Sequence, residues 1–146
     1  MNAVESGTAN VFRYHAHYRV YWEDTDAGGV VYHARYLQFL ERARSDWLAS
    51  LGISQTELRR EQDLVFAVTR MEIDFRKPAR LEDELDVSVC VQSMGRARID
   101  FSQQIRCRDD LLIEATVRAA CLDAGRFSPA RIPGEIREML RVHNVS

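Results

Sequence analysis

The stretch His33–Leu51, HARYLQFLERARSDWLASL, sets apolar side chains at Tyr36, Leu40, Ala43, Trp47 and Leu51, with Leu37, Phe39 and Leu48 widening the stripe. Apolar residues three and four apart share one face of a helix, so the spacing predicts an amphipathic helix of roughly five turns, about 28 Å long. Gly52 stands where a helix-ending glycine belongs, and Ser54-x-x-Glu57 offers a capping box for a short second helix to about Gln62. Upstream, His15–Glu23 is aromatic and β-branched and reads as a first strand. Downstream, Leu64–Phe75, Glu84–Val91 and Arg96–Arg108 alternate in strand fashion, at Met71, Ile73 and Phe75, for example. Leu111–Asp123 is a more continuous apolar run, as expected of a central strand buried on both faces. Turns at Ser93-Met94-Gly95 and across Arg106–Leu111, which holds Asp109-Asp110, predict antiparallel pairing. Pro133 precedes a short helix with Ile136, Met139 and Leu140 on one side. The order predicts an α+β fold in which one sheet wraps one long helix. Its open edges and second face need cover, so oligomerisation through the sheet is expected.

Composition bounds the possibilities. The chain of 146 residues fits one domain, 1–146 with its core at about 12–135, and shows no repeats or linkers. Hydrophobic residues at 46% and charged residues at 29% match a soluble globular protein. Net charge is −2 and no basic stripe interleaves with aromatics, which argues against nucleic-acid binding. Cys90, Cys107 and Cys121 are odd in number and lack C-x-x-C spacing, so they read as buried thiols in a reducing compartment. Met1–Asn10 is polar, and no apolar run is long enough to span a bilayer. A cytoplasmic location follows as the expectation.

Chemistry concentrates just before the long helix, in Tyr21–Ala34, YWEDTDAGGVVYHA. Gly28-Gly29 lets backbone approach a ligand closely, and the first helical turn leaves N–H groups facing outward. With the helix dipole behind them, such groups stabilise negative charge on an oxygen. Asp26 beside them suits acyl transfer, as nucleophile or as the base that activates water. An ordinary capping turn uses the same residue types, and spacing alone does not choose between the two. Rival readings fare worse. A calcium loop starting at Asp24 has Arg35 where its bidentate glutamate belongs. The strand–helix alternation that a phosphoryl-transfer Asp24-Thr25-Asp26 would need is missing, and there is no Gly-Lys-Ser/Thr loop. A metal held by Asp24, Asp26 and His33 lacks a second histidine nearby, so no metal is expected, and Glu23 and Asp24 are expected to shape the turn. His15, His17 and His143 read as surface residues, and Trp22 and Trp47 as core or interface. No Gly-x-Ser-x-Gly motif supports a serine hydrolase.

The unbroken run Glu23-Asp24-Thr25-Asp26-Ala27-Gly28-Gly29-Val30-Val31-Tyr32-His33-Ala34-x-Tyr36, followed by Phe39-x-Glu41-Arg42-Ala43-Arg44, closely resembles the hotdog-fold acyl-CoA thioesterases. Within them it is similar to the bacterial, tol–pal-associated, YbgC-type branch, near the 4-hydroxybenzoyl-CoA thioesterase family. Phe75-x-x-Pro78-Ala79-Arg80-Leu81-x-Asp83 extends the similarity, which covers roughly residues 15–135. The resemblance implies a curved five-stranded antiparallel sheet around the helix, in dimers that pair into tetramers with active sites between subunits. It maps the family's catalytic aspartate onto Asp26, and the elements that receive the thioester carbonyl onto Gly29 and the helix start at His33. Tyr32 joins them as a substrate-binding residue, and His33 acts through its side chain or through its N–H alone. Tyr36, Leu37 and Leu40 are candidates to line the acyl pocket. Coenzyme A is part of the substrate, and no separate cofactor is implied. Its phosphates need cations, for which Arg76, Lys77 and Arg80 in one loop and Arg96 and Arg98 after a hairpin are candidates. A second function class is a weakly catalytic or non-catalytic module that partners acyl carrier protein or phospholipid-synthesis enzymes. An intact Asp26 argues for the enzyme.

Overall fold

The structure, a computed structural model, describes residues 14–144. The expectations for Met1–Asn10 lie outside the described residues. In chain order the elements are β1 (Tyr14–Arg19), a single 3-10 turn at Trp22–Asp24, α1 (Arg35–Ser50), α2 (Gln55–Gln62), β2 (Leu64–Phe75), β3 (Glu84–Met94), β4 (Arg98–Cys107), β5 (Asp110–Asp123) and α3 (Gly134–Asn144). The five strands form one antiparallel sheet in the order β1-β3-β4-β5-β2. The expected α+β hotdog architecture is therefore present.

Alternation aims one face of the sheet at α1. Val87 and Val89 of β3, Phe101 and Ile105 of β4, and Ile113 and Val117 of β5 are buried there with the helix stripe Tyr36, Leu40, Ala43 and Trp47. Leu40 has no exposed surface, and truncating it to alanine would cost about 2–5 kcal/mol, the range for a large-to-small change in a core that collapses only partly. The opposite face of the sheet carries polar pairs such as Arg118–Asp100 and Arg76–Glu114. β5 therefore differs from expectation. It is internal to the sheet, yet Glu114, Thr116 and Arg118 alternate with its buried residues, so only one of its faces is buried.

Several boundaries also moved. β1 ends at Arg19 because Asp24 folds the chain back, its carboxylate accepting the Tyr21 N–H at 2.9 Å. β3 runs to Met94 rather than Val91, since a bulge between Val91 and Ser93 shifts the alternation without ending the ladder. The turn to β4 then closes one step later, with the Gly95 N–H donating to the Arg98 carbonyl at 2.9 Å. Gly52 does follow the long helix, at φ 81°, and Ser54 caps α2 by accepting the Glu57 N–H at 3.1 Å. Cys90, Cys107 and Cys121 are buried and free. His15, His17 and His143 are exposed, and Trp47 is core. Trp22 is not core, being 78% exposed on the 3-10 turn.

Candidate active site

The segment between β1 and α1 folds into a tight loop closed on itself. The Asp26 N–H donates to the Val30 carbonyl at 2.9 Å, and the Gly29 N–H donates to the Asp26 carbonyl at 3.0 Å. Gly29 makes this turn at φ 84°, a conformation that other residues reach only with strain. The Asp26 side chain turns back into the loop, and its Oδ1 accepts the Gly28 N–H at 2.8 Å. Oδ2 has no hydrogen-bond partner among the described residues, and the carboxylate is exposed. One oxygen is thus fixed and the other is available for chemistry.

Two threads tie the loop to the segment after β2. Val30 bridges Arg80, and the Val31 N–H donates to the Ala79 carbonyl at 2.9 Å. The Ala79 N–H in turn donates to the buried Tyr36 hydroxyl at 2.9 Å, which anchors the first turn of α1. Asp24, nearly buried, pairs with Arg35 at 3.4 Å and shapes the turn, as Glu23 does through its carbonyl, which accepts from Arg35 at 2.8 Å.

α1 begins at Arg35, two residues later than the spacing predicts. Tyr32–Arg35 forms a turn of its own, with the Arg35 N–H on the Tyr32 carbonyl at 2.8 Å. Ala34 is the N-cap and supplies no side-chain cap, and the first helical turn holds no acidic residue. Among the described residues, nothing accepts from the N–H groups of His33 and Ala34. Uncapped donors at the positive end of a helix are a site for negative charge.

A cleft of about 250 Å³ opens beside this helix start, lined by Val31, His33, Tyr36, Phe75, Arg76, Lys77 and Pro78. Among the described residues the His33 ring has no hydrogen-bond partner; it lies edge-on to Phe75 at 6.4 Å between centroids, while Tyr32 packs against it at 4.5 Å. Tyr32 itself is half exposed and stands outside the cleft. Burial pushes the Tyr36 phenol above its usual range, and the Ala79 N–H opposes that shift. The carboxylates of Asp83 and Asp26 add to it, so the charge of Asp26 is felt at the cleft wall.

The structure thus brings His33, Arg76 and Lys77 into one cleft, with Asp26 and Gly29 on the adjoining loop. Of the acyl-pocket candidates only Tyr36 lines the cleft; Leu40 is core and Leu37 is partly exposed. Arg76 and Lys77 already hold acids, Glu114 at 2.7 Å and Asp110 at 3.0 Å. Arg98 pairs with Asp100 on the outer sheet face, whereas the Arg80 side chain is exposed and without an ion pair among the described residues. Arg96 sits in the β3–β4 turn. That turn is separated from the Arg76 end by the length of β4, ten residues or about 30 Å. Within one chain Arg96 and Arg76 do not share a site. Sequence reasoning gave no site role to Phe75, which walls the cleft, or to the Ala79 peptide, which positions it. Their signal was the motif Phe75-x-x-Pro78-Ala79 itself.

The thioesterase-like superfamily model matches residues 20–140. The acyl-CoA thioesterase YbgC of Haemophilus influenzae is 46% identical over 119 residues, covering 82% of this chain and 88% of that protein. The chain belongs to the YbgC acyl-CoA thioesterase family. Another member, the acyl-CoA thioester hydrolase YbgC of Escherichia coli, is 42% identical, with 81% of this chain and 88% of that protein covered. The family's fold extends to a probable thioesterase from Bartonella henselae, with a TM-score of 0.80 and 36% identity over 84% of this chain and all of that one. A 1,4-dihydroxy-2-naphthoyl-CoA thioesterase from Synechocystis superposes with a TM-score of 0.82 at 25% identity, over 88% and 95% of the two chains. Among the described residues of this YbgC family member, no helix is long and apolar enough to cross a membrane.

Proposed function

We propose that this chain hydrolyses acyl-CoA thioesters, with Asp26 as the reacting carboxylate and the start of α1 as the oxyanion site. The observation that carries the reading is the pairing of a carboxylate oxygen without a partner among the described residues with an uncapped helix start one short loop away. The thioester carbonyl accepts from the His33 and Ala34 N–H groups, and the helix dipole stabilises the charge that grows on its oxygen. Asp26 acts on the carbonyl carbon directly or takes a proton from the water that does. On direct attack a C–O bond to Asp26 forms as the C–S bond breaks, and coenzyme A leaves as its thiolate. Water then cleaves the mixed anhydride to release the acid and restore Asp26. On the other route water forms the C–O bond, the C–S bond breaks, and the proton taken by Asp26 passes to the departing thiolate. The exposed ring of Phe75 gives the acyl group an apolar wall, and Arg76 and Lys77 meet phosphate at the rim.

The working unit holds more than one copy. Phe75 and Val68, on the open edge strand β2, are 52% and 46% exposed, more apolar surface than an isolated sheet edge keeps in water. The buried free thiols agree with a cytoplasmic setting.

The test is turnover of a panel of acyl-CoAs, short to long chain plus one aromatic, by the wild type and by Asp26→Asn. Asparagine keeps the Oδ1 acceptor for Gly28, so the fold should hold while kcat falls by about 10²–10⁴. Absence of turnover on every member by the wild type would overturn the enzyme reading. Near wild-type turnover by Asp26→Asn would overturn the role of Asp26. A large kcat loss in His33→Ala would assign its side chain, and not only its N–H, a part in the step.

A further inference from the structure

A second cavity lies away from the candidate active site, between the third turn of α1 and the sheet. It measures about 110 Å³ and is walled by Leu48, Phe66, Phe101, Ala119 and Ile136, with Glu41, Ser45 and Gln55 around its mouth. Arg44 stands in that apolar wall and is 8% exposed. A guanidinium carries five N–H donors, yet among the described residues Arg44 makes one hydrogen bond, from its NH1 to Gln103 Oε1 at 2.9 Å. Gln103 is wholly buried, and its own amide hydrogens are spent on the carbonyls of Leu40 at 3.1 Å and Ser88 at 3.4 Å. Its oxygen is therefore oriented to hold Arg44 and nothing else.

Burial disfavours the charge, and Glu41 offsets that only in part and without contact; among the described residues no carboxylate pairs with Arg44. Glu41 accepts from the Ser45 hydroxyl at 2.9 Å, stays exposed at the mouth, and forms no ion pair with Arg44. A buried cation with spare donors and no anion in contact is costly unless something supplies the missing acceptor. The space beside it is apolar and small: cavities of about 150 Å³ hold a benzene, so this one fits a hydrocarbon tail of a few carbons.

We propose that this cavity binds a carboxylate with a short apolar tail, its head group on Arg44 and its tail against Phe66, Phe101 and Ala119. Planar bidentate pairing of guanidinium and carboxylate uses the donors that Gln103 leaves open. A free carboxylic acid is also what thioester hydrolysis releases. The step from binding to product feedback rests on the proposed function, whereas the binding itself does not.

The experiment is calorimetric titration of the full chain with propionate and hexanoate, and with hexan-1-ol as the uncharged control. Hexanoate is expected to bind saturably and more tightly than propionate. Arg44→Met is expected to weaken it roughly tenfold or more while leaving hexan-1-ol unaffected, because only the charge-assisted bond is lost. Should Arg44→Met not fold, Ala119→Val keeps the cation and narrows the cavity, and is expected to weaken hexanoate more than propionate. Equal hexanoate binding by the wild type and Arg44→Met, or no saturable binding by the wild type, overturns the proposal. Asp26→Asn separates the two readings. If it loses hexanoate binding, the anion sits at the hydrolytic site and the cavity proposal falls; if it binds hexanoate but turns over acyl-CoA normally, the proposed function falls instead.

Discussion

The backbone N–H of Ala79 donates to the hydroxyl of Tyr36 at 2.9 Å, joining the segment after β2 to the first turn of α1 from 43 residues away. Ala79 has no exposed surface and Tyr36 only 3%, so water cannot replace either partner. Tyr36→Phe would leave the Ala79 N–H buried and unsatisfied, at a cost of about 1–3 kcal/mol in urea unfolding. It would also loosen the segment that holds Val31, so kcat is expected to fall more than that stability loss alone explains. A stability change near zero would mean the segment relaxes to another acceptor.

Gly28 and Gly29 are adjacent but are predicted to respond differently. A Cβ on Gly29 meets nothing within 4 Å, so Gly29→Ala carries only the strain of φ 84°, about 1–2 kcal/mol in a thermal or urea melt. A Cβ on Gly28 would lie 3.2 Å from Asp26 Oδ1. Gly28→Ala should therefore displace the carboxylate and reduce kcat with little change in stability. The pair is checked by measuring both quantities on both variants.

Asp100 offers a pH readout on the outer sheet face. Arg118 grips it with Nε at 2.8 Å and NH2 at 3.4 Å, and the Ser93 hydroxyl adds a third bond at 2.9 Å. These bonds, Arg118 first, hold the Asp100 carboxyl below its usual range despite partial burial. A pKa lowered on folding stabilises above the unfolded value, near 4, and the contribution is lost as pH falls through the folded value. Asp100→Asn should therefore destabilise at pH 7, with the difference from wild type shrinking below about pH 4 in denaturant melts. A gap that does not shrink would place the effect in packing.

The fold was largely legible because two periods differ clearly: 3.6 for α1 and 2 for the strands. The failures have local causes. The start of α1 slipped by two residues because Tyr32–Ala34 makes a turn that no side chain announces. β3 looked too short because the bulge after Val91 reverses which residues face inward. The acidic loop was legible as a unit, since Asp26 and Gly28 bond over two residues. Arg44 and Gln103 are 59 residues apart, and their contact needs the strand order that spacing does not set. Within one chain Arg96 and Arg76 lie toward opposite ends of β4, a distance that spacing in the sequence does not reveal.

Arg76 and Lys77 give the last prediction, because each must exchange one anion for another. Of their present partners Glu114 is half-buried and Asp110 exposed, with each pair open to water, and pairs of that kind contribute about 0–1 kcal/mol to stability. Arg76→Ala and Lys77→Ala should therefore fold nearly as well as the wild type. If these cations meet coenzyme A phosphate in the productive complex, each loss raises KM for acyl-CoA and leaves kcat nearly unchanged, as expected for uniform binding energy. Removing the competing acid acts in the opposite sense: Glu114→Gln frees Arg76 and should lower KM. Salt provides the control. Screening of exposed charges should reduce kcat/KM for the wild type, and reduce it less for the double variant at Arg76 and Lys77. Equal salt sensitivity in both would place the phosphate contacts elsewhere, with the exposed Arg80, which has no ion pair among the described residues, the next cation to replace.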